Sequence, residues 1–351
     1  MIKARPHYAF VTKILIDLFN AGELPAIRTL SIEPDYGYAG RIIYHNQSVR
    51  MFKGSDMGVN RSSAMQIATD KGYAKYFLKL SGYRVPEGKV FLLPQYVQTL
   101  EKVLSKHAFQ DYSRIDQIDT YITSTVGYPC FLKPNEGAQG KGVTKCLNKD
   151  DVEATLAHYQ EEHIQTLLVE EAIPWPDYRV VVFHDTIIAC YQRIPLSVTG
   201  DGKATIRELL QQTYEHFNAS GRSVLIDVHD PRIIRQLLRR NLTWETVLPE
   251  FTVCSLQDIS NLSAGGAVED FTDRICDYWS KLCIQLTAEM GLTLCGVDLA
   301  CSNIEQAEQA DAHYSIIEIN ATPGLANYAA IGREQATRVR ALYQAIFADN
   351  Q

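Results

Sequence analysis

The sequence predicts an α+β or mixed α/β fold, α+β being the reading adopted. Two observations carry the prediction. Short hairpins are interleaved with helices along the chain, where a doubly wound sheet would show strands and helices in regular alternation. A long amphipathic helix is followed by two apolar strands in succession, Leu294 to Ala300 and Ser315 to Asn320. The chain has no internal repeat. At 351 residues it is long enough for roughly two or three domains.

In order, Tyr8 to Phe19 is an apolar helical stretch that ends near Asn20-Ala21-Gly22. Arg41–Tyr44 and Ser48–Phe52 flank His45-Asn46-Gln47 as a hairpin. Ala64, Ile67, Ala68, Tyr73, Tyr76, Phe77 and Leu80 form an amphipathic face broken around Asp70-Lys71, and Gly82 and Pro86 stop it. Ile115, Ile118, Ile122 and Val126 keep helical spacing across 112–126, ended by Gly127 and Pro129. Cys130–Lys133 and Leu167–Glu170 read as short buried strands. Tyr178–Phe183 and Thr186–Tyr191 make a hairpin across His184-Asp185. Thr205 and Glu208 are a capping box opening a helix to Phe217. Asp230-Pro231 opens another helix, with Asp as N-cap and Pro at the first helical position. A helix is expected from about Asp273 to Met290, stopped by Gly291, and a last one over 332–348.

Composition narrows the function. Hydrophobic residues are 46% and charged residues 21%, which excludes a disordered or low-complexity chain. A net charge of -7 argues against a general nucleic-acid binder or a polybasic membrane-surface protein, though not against binding one nucleotide. No apolar run reaches transmembrane length, and no signal-peptide pattern follows Met1, so a cytoplasmic protein is expected. The eight cysteines lack C-x-x-C pairing and read as buried, reduced thiols. The nine histidines show no metal-site spacing.

Two constellations suggest chemistry. Lys133 ends an apolar strand and leads into Pro134-Asn135-Glu136-Gly137-Ala138-Gln139-Gly140-Lys141-Gly142. Glycines there let backbone N–H groups approach phosphate oxygens, and Lys133 and Lys141 add charge. A plain hairpin also uses such a turn, and the loop is neither a Walker A loop nor a dinucleotide fingerprint. Lys133 reads as an exposed strand-end lysine. The second constellation is Asp298 in one apolar strand with Glu318 and Asn320 on one face of another. Buried unpaired carboxylates are costly, so the set suits a shared hard cation such as Mg²⁺; the alternative is that each faces solvent or an arginine.

Together these pieces resemble the ATP-grasp ligases, above all the ATP-grasp regions of cyanophycin synthetase and bifunctional glutathione synthetase, and more distantly D-alanine–D-alanine ligase. The resemblance covers roughly residues 60–330. It rests on Asp70-Lys71, Phe131-Leu132-Lys133-Pro134 and its loop, and Val169-Glu170-Glu171-Ala172-Ile173 leading to Asp177-Tyr178-Arg179-Val180. Arg193-Ile194-Pro195, Gly200-Asp201-Gly202, Asn261-Leu262-Ser263-Ala264-Gly265-Gly266, Gly296-Val297-Asp298 and Glu318-Ile319-Asn320-Ala321-Thr322-Pro323-Gly324 complete the ordered set.

The resemblance implies a nucleotide held between a lid subdomain and a C-terminal mixed sheet. Residues 1–69 would precede the ATP-grasp unit, 70–168 would form the lid with its glycine loop, and 169–351 the C-terminal subdomain with the metal site. Lys71 and Lys133 would contact ATP phosphates, and the loop with Gly137, Gly140, Lys141 and Gly142 would close over them. Glu170, Glu171 and Ile173 would pair the adenine, and Asp177 the ribose hydroxyls. Arg193 would meet the transferring group with Lys133. Asp298, Glu318 and Asn320 would carry one or two Mg²⁺ ions, with Mn²⁺ as a substitute.

The implied activity is an ATP-dependent carboxylate–amine ligase. It would act through an acyl phosphate on small carboxylate and amine substrates such as amino acids or a peptide. A kinase for a hydroxyl group would use the same nucleotide site, and a non-catalytic nucleotide-binding protein is a further reading. No nucleic-acid or membrane partner is expected, and a homodimer is left open. The relatives usually carry an arginine four residues before Asn-Leu-Ser; here that position is Gln257. Gln257 is expected to face the acyl phosphate or the acceptor substrate, beside Asn261, Ser263 and Gly265, with residues 1–60 and loops near 222–229 and 257–266 lining the acceptor region. Arg193 is the first candidate to lend the missing charge.

Overall fold

In the computed structural model every pairing between named strands is antiparallel, as the α+β prediction requires. The structure describes residues 2–103, 113–137, 140–219, 224, 228–260, 262, 265–307 and 313–348.

The chain opens with α1 (Phe10–Asn20), then β1 (Ile27–Ile32), β2 (Ala39–Tyr44) and β3 (Val49–Lys53), a three-stranded sheet in that order. The β2–β3 hairpin is the expected one; β1 had no clear alternation in sequence. The helical face over 60–80 is two helices, α2 (Ser62–Thr69) and α3 (Lys71–Leu80). Asp70 divides them, ending α2 in extended conformation and capping α3 by accepting a hydrogen bond from Tyr73 N at 2.8 Å.

β4 (Gly88–Leu92) and α4 (Pro94–Leu100) come next. The expected helix over 112–126 is broken: α5 (Ile118–Tyr121) lies between a tight turn at Ile115–Gln117 and a wide turn at Ile122–Val126. β5 (Cys130–Pro134), β6 (Thr144–Cys146), α6 (Lys149–Glu161) and β7 (Thr166–Glu171) complete a second sheet, ordered β4-β7-β5-β6. Phe91, Ile118, Ile122, Leu132, Val152, Tyr159 and Val169 form its own core.

β8 (Asp177–Phe183) and β9 (Thr186–Ile194) follow, then β10 (Ser197–Thr199), α7 (Ile206–Ala219), α8 (Pro231–Arg239) and β11 (Val253–Ser255). Both expected caps are present. Thr205 and Glu208 exchange hydrogen bonds, and the Asp230 side chain accepts from Arg232 N. β10 pairs with β11, and Val198, Ile206, Leu210, Ile233, Leu237 and Leu256 enclose a separate small core.

β12 (Ala267–Asp270), α9 (Asp277–Glu289), β13 (Leu294–Cys301), β14 (Tyr314–Asn320), α10 (Ala326–Ala329) and α11 (Arg333–Ala348) finish the chain. α9 starts four residues later than expected, because Cys276 is still extended. The central sheet is ordered β12-β9-β8-β13-β14. Strand alternation splits its faces. Val180, Val182, Cys190, Val297 and Leu299 pack with α9 and with Ala74 and Leu78 of α3. Val181, Ala189 and Tyr191 pack instead with α1, α11 and the N-terminal sheet. All eight cysteines are free and seven are buried. Among the described residues no helix is long and apolar enough to cross a membrane.

Candidate active site

The second sheet and the central sheet meet at α3, and α3 is held close to both. Gly72 makes the approach to β4 possible: a Cβ there would lie 2.7 Å from Val90 Cγ2. Gly72 N also donates to Asn135 Oδ1 at 2.9 Å, tying the helix start to the segment after β5.

One wall of the site is built around Glu170. Its side chain is 1% exposed and is held by Lys133 on one oxygen and by Lys75, at 2.8 Å, on the other. Lys75 donates also to Pro86 O at 2.7 Å. Burial alone would push the Glu170 carboxyl up; the Lys133 and Lys75 ammonium groups outweigh it and hold it below its usual 4.5. Lys133 is therefore not the exposed strand-end lysine expected from the sequence. It lies inside the second sheet, where strand β7 brings Glu170 across from Phe131.

The other wall is one face of the central sheet. Cross-strand register sets Arg179 opposite Asp298, Asp298 opposite Glu318, and Asp177 opposite Arg193. Asp298 is gripped by Arg179 and receives Arg193 Nη2 at 2.8 Å. Arg193 Nη2 also reaches Asp177 at 2.8 Å, while its buried Nε has no hydrogen-bond partner among the described residues. Gly296 leaves room for Arg179, whose Cδ would lie 3.1 Å from a Cβ at that position. Burial raises the Asp298 carboxyl, but Arg179 and Arg193 outweigh it and the net direction is down. Glu318 goes the other way. Burial pushes its carboxyl above 4.5, Lys71 offsets part of this, and the Asp298 charge adds to it. Among the described residues its one ion-pair contact is Lys71 Nζ, at 3.9 Å. Asn320 lies beside it and donates to Gly296 O at 3.4 Å.

Lys71 joins the walls. Its Nζ is 3.3 Å from Gly137 O at the mouth of the glycine loop and 3.9 Å from Glu318. Gly140 and Gly142 take φ of 66° and 76°, a region L side chains avoid. Gly142 O is held by the Tyr159 hydroxyl at 2.5 Å, and Lys141 is exposed. Glu171 accepts from Glu87 N at 2.9 Å. Ile173 is half-buried in the segment joining β7 to β8, so this stretch offers backbone groups while the Glu170 side chain is turned onto the two lysines.

Gln257 stands apart from this cleft. It is 4% exposed, its Oε1 has no hydrogen-bond partner among the described residues, and it faces Arg232, Arg235 and Arg239 of α8. Arg193 does not line that cavity. Gly265 is buried in a turn onto Leu262 O, and Asn261 and Ser263 lie outside the described residues. Sequence reasoning missed Lys75, although it follows Lys71 by one helical turn on the same face. It also missed the arginines of α8, whose i, i+3, i+7 spacing was legible.

No family model matches this chain. It is 29% identical over 287 residues to cyanophycin synthetase of Synechocystis, covering 80% of this chain and 30% of that protein. It is 30% identical over 203 residues to the glutathione biosynthesis bifunctional protein of Listeria monocytogenes, covering 55% of this chain and 26% of that one. The chain thus spans less than a third of the length of these curated relatives. A crystal structure of a bifunctional glutathione synthetase from Pasteurella multocida superposes with a TM-score of 0.58 at 20% identity, over 96% of this chain and 44% of that one. The sequence match and the shared fold agree with the ordered motifs and support an ATP-grasp superfamily assignment.

Proposed function

We propose that the chain is an ATP-dependent ligase that joins a carboxylate to an amine and releases ADP and phosphate. The observation that carries this is the position of Lys71, which brings the glycine loop and the Glu318 carboxylate to one cleft between two sheets. A phosphate chain lying there meets Lys71, Lys133 and the loop on one side and the acidic strands on the other.

The donor set fits a divalent cation. Glu318 is a carboxylate with raised proton affinity and one long contact, and Asn320 adds an amide oxygen beside it. Asp298 is the third candidate, but two arginines hold it first. Among the described residues no three His, Cys, Asp or Glu side chains gather as a metal cluster, so phosphate oxygens would have to complete the shell. Such an ion, when bound, neutralises phosphate charge.

In the reaction a substrate carboxylate attacks the γ-phosphoryl group, giving an acyl phosphate and ADP. An amine then displaces phosphate from the acyl carbon and loses a proton. The chain's own contribution is position and charge. Lys71 and Lys133 face the phosphates. Glu170 holds Lys133 charged within a buried wall and offsets part of the burial that pulls Lys75 down. Arg193, fixed by Asp177 and Asp298, keeps one Nε–H free for a substrate oxygen. The second sheet and its loop cover the cleft, which excludes water from the acyl phosphate.

Incubation with ATP, Mg²⁺, hydroxylamine and a panel of carboxylates tests this. The expected result is an ATP-dependent hydroxamate with at least one acid. A phosphorylated hydroxyl product without hydroxamate would make the chain a kinase instead.

A further inference from the structure

Helix α3 is apolar on two sides. Its inner side is small: Ala74 and Leu78 join the core of the central sheet, and Lys75 turns to Glu170. Its outer side is bulkier. Tyr73, Tyr76, Phe77 and Leu80 recur at i, i+3, i+4 and i+7, so they form one stripe along the helix. They are 63%, 62%, 39% and 70% exposed. The Tyr76 and Phe77 rings meet edge to face at 5.2 Å, which orders the middle of the stripe. A helix that needs only solvent on its outer side looks different: α7 turns Arg207, Glu208, Gln211 and Glu215 outward. An apolar outer face as well as an apolar inner one is the pattern of a helix covered on both sides.

We infer that the stripe is the contact between two copies of this chain, with the two α3 helices packed antiparallel about a two-fold axis. Charge, order and area choose a second copy over an unlike partner. The stripe itself carries no charge. Lys79, set among its positions, is already answered by Glu87 at 2.8 Å, so a charged partner finds nothing to pair with. The order is self-complementary. Antiparallel packing sets Leu80 against the partner's Tyr73 and gathers Tyr76 and Phe77 of both copies at the axis. It also brings opposite ends of the helix dipoles together. The area is sufficient. At roughly 200 Å² per side chain the exposed fractions leave about 470 Å² bare on each copy, so pairing buries about 900 Å² of stripe; with a polar rim this reaches the ~1,000 Å² of a specific interface. The same helix carries Lys71 and Lys75, so the contact braces from outside the element that joins the two walls of the cleft.

Sedimentation velocity of the full chain, from low to high micromolar concentration, tests the inference. The parent chain should sediment as a dimer that dissociates on dilution. Tyr76→Glu places like charges at the axis and should weaken the dimer roughly tenfold or more. Leu80→Ser, a milder change at the end of the stripe, should weaken it less, and it keeps the test decisive if the charged variant does not fold by circular dichroism. Gln211→Glu on α7 should leave the dimer unchanged. Cross-linking reads the geometry. Seven of the eight native cysteines are buried, so the parent chain gives the background. With copper phenanthroline as oxidant, Tyr76→Cys should form a disulfide with its own copy, and Leu80→Cys, away from the axis, should not. A parent chain that stays monomeric at high micromolar concentration would overturn the inference and leave the stripe to an unlike partner. So would a dimer that Tyr76→Glu and Leu80→Ser leave equally tight, or one in which Leu80→Cys cross-links to itself and Tyr76→Cys does not.

Discussion

The two walls of the cleft solve the same problem, buried charge, with opposite remainders. Around Glu170 one carboxylate faces two lysines, and the wall is left with excess positive charge. Across the cleft Asp177, Asp298 and Glu318 face Arg179 and Arg193, with Lys71 at 3.9 Å from Glu318. There the arginines are used up by two aspartates, and Glu318 is left short of a cation. Buried ion pairs add little net stability, but losing one partner is costly. The remainders are what a site can offer a ligand: positive charge toward phosphates on one wall, an under-paired carboxylate toward a metal on the other.

The largest effect should come from the closed wall. Glu170→Gln leaves Lys75 and Lys133 buried beside a neutral amide and should cost about 3–5 kcal/mol, read by denaturant unfolding. Lys133→Ala should cost stability as well as nucleotide affinity, because it removes one of the two partners of a buried carboxylate. The open wall should behave in the opposite way. Glu318→Gln should lower turnover by about 10²-fold or more, with partial rescue by higher Mg²⁺ or by Mn²⁺, while unfolding stability does not fall.

A pH series sharpens the same contrast. Glu318 binds its proton more tightly in the folded chain than at the usual 4.5, so its contribution is fully present below 4.5 and is lost as pH rises through the folded value. Glu318→Gln should therefore gain stability relative to the parent chain as pH rises above 4.5. Glu170 is shifted down, so its contribution is present above 4.5 and disappears as pH falls through its folded value. The smallest effect expected is Asp70→Ala, which removes the cap of α3 and should cost about 1 kcal/mol.

The sequence made the strands and caps of the central sheet legible because each is local. Apolar runs mark Tyr178–Phe183 and Leu294–Ala300, and Thr205 and Asp230 each announce a helix start, while Asp70-Lys71 was read only as a break in a helical face. It also put Asp298, Glu318 and Asn320 in two apolar strands, and it left open that each faces solvent or an arginine. What it could not give was pairing across the chain. Glu170 meets Lys75 only because β7 runs beside β4 and β5, over 95 residues of separation. Asp298 meets Arg179 only through the register of β8 with β13. The α8 arginines had legible spacing, but their target, Gln257, is set by the β10–β11 pairing that folds the segment back. β1 was missed because its burial alternates irregularly, around a register shift between Ile27 and Thr29.

The central claim is that nucleotide and metal meet between these walls. Calorimetric titration of a non-hydrolysable ATP analogue, with and without Mg²⁺, into the parent chain and Glu318→Gln tests it most directly. The parent chain should bind the analogue, and bind it more tightly with Mg²⁺; Glu318→Gln should bind it about equally with and without the ion. No binding by the parent chain, or full Mg²⁺ enhancement in the variant, would contradict the account.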